Sequence, residues 1–133
     1  MSNLKTTNLT GGCACGAIRY KIDEEPEYSF NCHCRKCQKA TGNGHAPAFG
    51  VPLNRTELSG EISYFQQKSD SGSSTHSGFC GTCGSPVLSK SDRFADRLYF
   101  YAATLDEPSQ FKPQFVVFGE AAQPWDLPLS IDD

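Results

Sequence analysis

The residues with the most chemistry to offer are seven cysteines in three groups: Cys13-x-Cys15, Cys32-x-Cys34-x-x-Cys37 and Cys80-x-x-Cys83. No cysteine lies outside these groups. A Cys-x-x-Cys knuckle turns two sulfurs toward one ion, so each group supplies part of a metal site. Zinc favours four ligands in a tetrahedron and accepts thiolates readily. Seven sulfurs divide into four and three. Four would close a structural site. Three would leave a position for water or substrate, as catalytic zinc does. Two pairings fit the spacing. Gly16 and Gly84 follow Cys15 and Cys83, whereas Gln38 follows Cys37. Glycine permits a left-handed backbone and lets N–H groups approach sulfur. That favours joining Cys13 and Cys15 with Cys80 and Cys83, leaving Cys32, Cys34 and Cys37 as the open site. The rival is a zinc-ribbon pairing of Cys34 and Cys37 with Cys80 and Cys83.

Other cysteine chemistries fit less well. No βαβ pattern of the thioredoxin kind surrounds either Cys-x-x-Cys pair. The usual ferredoxin spacings are missing as well. A purely structural role for all seven cysteines remains the plain alternative. Composition narrows the field further. With 133 residues and 38% hydrophobic content, the chain fits one domain for which metal cross-links would help. Its formal charge of −3 and lack of a basic run leave little for nucleic-acid binding. No apolar run approaches the ~20 residues of a membrane span. The polar N-terminus lacks the apolar stretch of a secretory signal. We therefore expect a cytoplasmic protein whose cysteines stay reduced and bind metal.

Short strands must position these groups. Residues 1–11 read as a flexible polar arm, and residues 12–133 as one metal-binding domain. Ala17 to Ile22 alternates apolar and polar as a half-buried strand does. Strands are also expected over 28–32, 45–51, 87–89, 97–104 and 114–118. A turn followed by a strand is expected over 58–65. Residues 34–41 predict one or two helical turns, stopped by Gly42-Asn43-Gly44. Lys68 to Ser77, rich in Ser, Gly and Asp, reads as a surface loop. Several short strands between Gly and Pro turns indicate a mainly β fold.

Taken together, these motifs resemble the glutathione-dependent formaldehyde-activating enzymes, whose vertebrate relatives include centromere protein V. The resemblance spans about residues 11–125. It rests on 12–20 (GCACGAIRY), Cys32-His33-Cys34-Arg35-Lys36-Cys37, 79–86 (FCGTCGSP), Leu105-Asp106-Glu107-Pro108 and Pro124-Trp125. It implies the β-tent fold of small antiparallel sheets. It also implies that Cys13, Cys15, Cys80 and Cys83 are structural zinc ligands and that Cys32, Cys34 and Cys37 are catalytic zinc ligands. The implied activity is that of a carbon–sulfur lyase joining glutathione to formaldehyde as S-hydroxymethylglutathione. Many relatives carry a histidine just after the proline matched by Pro113. Here Phe115 stands in that stretch, so a relative's substrate contacts there do not transfer.

The chemistry follows from the residues. A metal with three thiolates accepts an external thiol and deprotonates it, and the thiolate is the nucleophilic form. A thiohemiacetal oxyanion then needs a proton, and His33 and His45 are the nearby candidates. His76, in the Ser-rich stretch, is expected to be exposed. Arg35, Lys36 and Lys39 could receive glutathione carboxylates, or could offset the charge of a metal–thiolate centre. Tyr64, Phe65, Tyr99, Phe100 and Tyr101 read as core and sheet residues. The competing function is a non-enzymatic, zinc-stabilised module that presents a surface to protein partners.

Overall fold

The computed structural model describes residues 8–68 and 72–127. Among the described residues, ten strands form two sheets. Strands β1 (Leu9–Gly12), β2 (Arg19–Ile22) and β5 (Thr56–Ser59) make a three-stranded antiparallel sheet in the order β1-β2-β5. The larger sheet contains β3 (Tyr28–Cys32), β4 (Ala46–Pro52), β6 (Ile62–Lys68), β7 (Ser74–Cys80), β8 (Pro86–Ser91), β9 (Arg97–Tyr101) and β10 (Phe115–Val117). Its order is β10-β3-β4-β9-β8-β7-β6. All its pairs are antiparallel except β10 with β3, which run parallel. This is the mainly β, β-tent architecture expected from the sequence, with one parallel edge added.

The alternation read from the sequence holds in β2. Tyr20 and Ile22 point into the core, while Arg19 and Lys21 face solvent. The core lies where the sheets meet, around Ile18, Ile22, Phe49, Val51, Leu88 and Phe100. Each such apolar side chain contributes roughly 1.5–3 kcal/mol through burial. Cys13 and Cys80 belong to the same buried cluster. Their cysteine motifs are thus anchored in the core rather than hung from loops.

Helix α1 (Arg35–Thr41) is short and well capped. Cys34 is its N-cap, and its sulfur accepts from the Cys37 N–H. Gly42 closes the helix in the left-handed region at φ 69°, as the Gly42-Asn43-Gly44 stop predicted.

Four expectations fail. The flexible arm does not reach residue 11, because Leu9–Gly12 is a strand paired with β2 and Leu9 is buried. Residues 1–7 lie outside the described part. Thr56–Ser59 is a strand paired with β2, and its last two residues, Leu58 and Ser59, fall where the turn was expected to begin. Ser74–Cys80 is a strand between β6 and β8, not part of a loop, so pairing on both sides overrides its polar composition. Tyr64 and Phe65 lie in the sheet but on its outer strand β6, where they are exposed. Phe100 and Tyr101 are buried as expected.

Candidate metal centres

The chain brings Cys13, Cys15, Cys80 and Cys83 together, with all four sulfurs within 4.8 Å of one another. Cys32, Cys34 and Cys37 form a separate group under the same limit. Cys34 and Cys37 are not grouped with Cys80 and Cys83, so the zinc-ribbon pairing is not the one the fold makes. Two further residues follow this pattern closely. Gly16 and Gly84 sit in the left-handed region, at φ 82° and 81°, as expected for knuckle glycines.

The four-sulfur group joins two segments far apart in sequence. Cys13 lies just after β1, and Cys80 ends β7. The Cys13–Cys15 and Cys15–Cys80 sulfur separations are 3.7 and 3.8 Å. A zinc–thiolate tetrahedron has an edge of about 3.8 Å, given Zn–S bonds of about 2.3 Å. Backbone N–H groups aim at the buried sulfurs. Ile18 donates to Cys13 at 3.2 Å, and Thr82 and Cys83 each donate to Cys80 at 3.4 Å. The Ile18 N–H lowers the pKa of Cys13 below its ordinary value. The Ser85 hydroxyl, 3.2 Å from the Cys83 sulfur, and the Ser85 backbone bring Cys83 down to about 5. Ser85 also accepts from the Ala14 N–H, tying the two knuckles together.

The three-sulfur group comes from one short stretch, the end of β3 and the start of α1. Cys32 and Cys37 sulfurs are 3.2 Å apart. Cys32 is buried, while Cys34 and Cys37 are partly exposed. Hydrogen bonds from the Cys32 and Cys37 sulfurs hold Cys34 down to about 2. The same neighbours push Cys37 up. One of three crowded thiols ionises at the expense of the others, so full ionisation calls for a cation among them. Both groups therefore have donor sets that fit a thiophilic divalent metal.

Tyr101 is buried beside this group and packs in a cluster with Ala46, Ala48, Phe30 and Cys37. Burial, then the nearby Cys37 and Cys34, push its phenol well above its ordinary value. Tyr101 also lines a cleft of about 400 Å³, together with Cys13, Thr41, His45, Pro47 and Ser85. Cys32, Cys34 and Cys37 do not line that cleft. Tyr101 and Thr41 link it to them, Thr41 by donating its hydroxyl to the Cys37 carbonyl at 2.9 Å.

The remaining candidates divide. His33 and His45 stand together, with ring centres 4.9 Å apart, and both face Asp126. His76 is mostly buried in β7 rather than exposed in a loop, and it pairs with Asp92 at 3.0 Å. Within the basic cluster, Arg35 bonds to the Gln38 side chain, and the Lys36 ammonium donates to the Lys68 carbonyl at 2.6 Å. Phe115 stacks on Phe30 at 5.9 Å, which keeps that position apolar.

Three residues escaped the sequence reading. Gln38, 4% exposed, donates to the carbonyls of His33 and Ala121 and accepts from Gln123. It holds the C-terminal segment against the three-cysteine turn. Ser85 has the role given above. Asp126 follows Pro124-Trp125, a pair the sequence did single out, but no spacing rule links it to histidines over 80 positions earlier.

Fold and site together define a thiolate-rich, mainly β protein with one four-cysteine and one three-cysteine cluster. The family model for glutathione-dependent formaldehyde-activating enzyme matches residues 8–121. The chain belongs to that family. A curated relative from Halomonas elongata, named "Putative glutathione-dependent formaldehyde-activating enzyme", is 28% identical over 121 residues, covering 81% of this chain and 72% of the relative. The fold is also similar to a crystal structure of a Rhodobacter sphaeroides protein. That match has a TM-score of 0.62 and 20% identity, covering 81% of this chain and 99% of the other. Among the described residues no helix is long and apolar enough to cross a membrane.

Proposed function

We propose that this protein is a zinc-dependent carbon–sulfur lyase of the S-(hydroxymethyl)glutathione synthase kind, acting on glutathione and formaldehyde or on a closely related thiol adduct. In this reading Cys32, Cys34 and Cys37 hold a catalytic ion, and Cys13, Cys15, Cys80 and Cys83 hold a structural one. The observation that carries it is the three-thiol cluster, with three protein sulfurs converging and two of them partly exposed. Bound there, zinc supplies the acidification that turns an incoming thiol into the nucleophilic thiolate. A cytoplasmic location belongs to the same reading, since thiolate ligands need a reducing compartment.

The chain's own residues do the rest. The capped N-terminus of α1 fixes Cys34 and Cys37 relative to each other, through the Cys37 N–H on the Cys34 sulfur at 3.3 Å. Tyr101 stays a neutral phenol at physiological pH, because burial disfavours its ionised form. It is the candidate donor to the aldehyde oxygen, where negative charge develops. As the C–S bond forms, the proton lost from the thiol is balanced by one gained at that oxygen. Arg35 and Lys36 are engaged within the chain. Lys39 is therefore the better candidate for a glutathione carboxylate.

The test is exchange NMR on glutathione and formaldehyde, with zinc-loaded protein and with Cys34→Ser. Acceleration above the uncatalysed rate that Cys34→Ser abolishes supports the reading. Glutathione binding without acceleration, or acceleration that survives in Cys34→Ser, sinks it. One observation favours a non-enzymatic binding module instead. Phe115, Val116 and Phe118 at the β10 edge are exposed by 47%, 56% and 54%, which is unusual for large apolar neighbours. A protein that captures a partner through this edge and never accelerates the exchange would fit that second reading.

A further inference from the structure

Apart from the two cysteine groups, His33, His45 and Asp126 make a third convergence of metal-ligating atoms, all within 4.8 Å of one another. The His45 Nδ1 lies 2.7 Å from Asp126 Oδ2, and the His33 Nδ1 lies 3.4 Å from the same oxygen. A hydrogen bond accounts for His45. It does not account for His33, whose Nδ1 is buried and makes no hydrogen bond among the described residues. A buried polar atom with no partner asks for an explanation, and an ion is one of the few that satisfy it.

The backbone is shaped to admit the carboxylate. A Cβ at Gly44 would stand 2.4 Å from the Asp126 Cγ, so only glycine lets Asp126 lie against this turn. The side chains of His33 and Asp126 are 12% and 15% exposed, while that of His45 is 27% exposed and also borders the large cleft. The three atoms are thus sheltered on two sides and reachable from the third.

We propose that His33, His45 and Asp126 form a third metal site, for a divalent first-row transition ion. Two imidazoles and one carboxylate are the donor set such ions accept, and one too hard to compete with thiolates for zinc. Ligand atoms about 2.0–2.2 Å from an ion lie about 2.9–3.4 Å from each other, and the two nitrogen–oxygen separations above stand near that range. On binding, the His45 proton moves from Nδ1 to Nε2, so the ring ligates as neutral imidazole with no net change in its protons. Three protein ligands leave positions open toward the cleft.

The experiment uses the intact protein, first loaded with two equivalents of zinc and then titrated with cobalt(II). Cobalt does not displace thiolate-bound zinc, because zinc binds more tightly. The expected result is one further equivalent with weak visible bands and no sulfur-to-cobalt charge transfer. Proton NMR should show two imidazole N–H resonances shifted far outside the diamagnetic range. His45→Ala and Asp126→Asn should each cut the affinity of this equivalent by at least ten-fold, with the zinc content unchanged. The absence of the extra equivalent in the wild type overturns the proposal, as does its retention at full affinity in both variants. Should both variants misfold, the wild-type imidazole resonances still decide, and their absence overturns it.

Discussion

The two cysteine clusters use the same ligand type to opposite ends. The four-cysteine cluster joins the turn after β1 to the end of β7, segments 65 residues apart at the Cys15–Cys80 contact. Two of its sulfurs belong to the main core. The three-cysteine cluster spans six residues, from Cys32 to Cys37. It is closed by a helix cap and lies outside that core. Cross-linking distant segments removes freedom from the unfolded chain, whereas cross-linking neighbours removes little. The first cluster is therefore placed to hold the fold. The second adds little to that constraint, and it is the cluster our proposed function makes catalytic.

That contrast is broken most directly by one serine in each cluster. Cys80→Ser should lower the melting temperature by more than about 10 °C, since metal binding in a long-range site is folding free energy. Cys34→Ser should melt within a few degrees of wild type on the same scale. It should also lose one equivalent of metal by elemental analysis and at least about 100-fold in turnover. The reverse pattern in thermal melts would exchange the two roles.

A smaller effect sharpens the comparison. Gln38 joins the three-cysteine turn to residues 121–123 through buried hydrogen bonds. Gln38→Ala should cost about 1–3 kcal/mol, the usual result of orphaning buried partners. Amide exchange should rise locally over 119–127 and 33–38, with the four-cysteine knuckles unaffected. Exchange that rises uniformly across the chain would mean the two regions are not separable.

The smallest effect concerns the ring of contacts around the four-cysteine site. Arg19 and Asp106 form a two-point pair, at 3.0 and 2.5 Å, between β2 and the turn after β9. The Arg19 guanidinium, then the Thr10 hydroxyl, hold the Asp106 carboxyl below its ordinary value of 3.8. A group with a lowered folded value stabilises above its unfolded value and loses that contribution as pH falls through the folded one. The melting difference between wild type and Asp106→Asn should therefore be small at pH 7, in keeping with an exposed pair. It should shrink as pH falls below the ordinary carboxyl value and vanish once Asp106 is protonated in the folded state as well. A difference that persists there would assign the effect to packing.

These contacts also explain which motifs could be read in the sequence. Arg19 and Asp106 belong to two of the stretches that carried the family resemblance. Gly11 bridges to Leu105, and the Tyr20 hydroxyl meets Thr104 at 2.7 Å. The motifs look separate along the chain because each is half of one contact. Polar strands were the least legible. Ser74–Cys80 contains little that favours a strand, and it is held by neighbours on both sides. Thr56–Ser59 is as polar, and it is held as an edge strand by β2.

By itself the sequence determined what depends on local chemistry: the mainly β character, the helical turn stopped at Gly42, the left-handed glycines beside Cys15 and Cys83, and a division of the cysteines into groups of four and three. Spacing of two or three residues is short enough for backbone geometry to dictate which sulfurs face one point. Only the tertiary structure decided which knuckles meet, that Gln38 clasps the C-terminal segment, and that Asp126 lands between His33 and His45. Those juxtapositions depend on how the sheets pack, and no local preference carries information across 80 residues of chain.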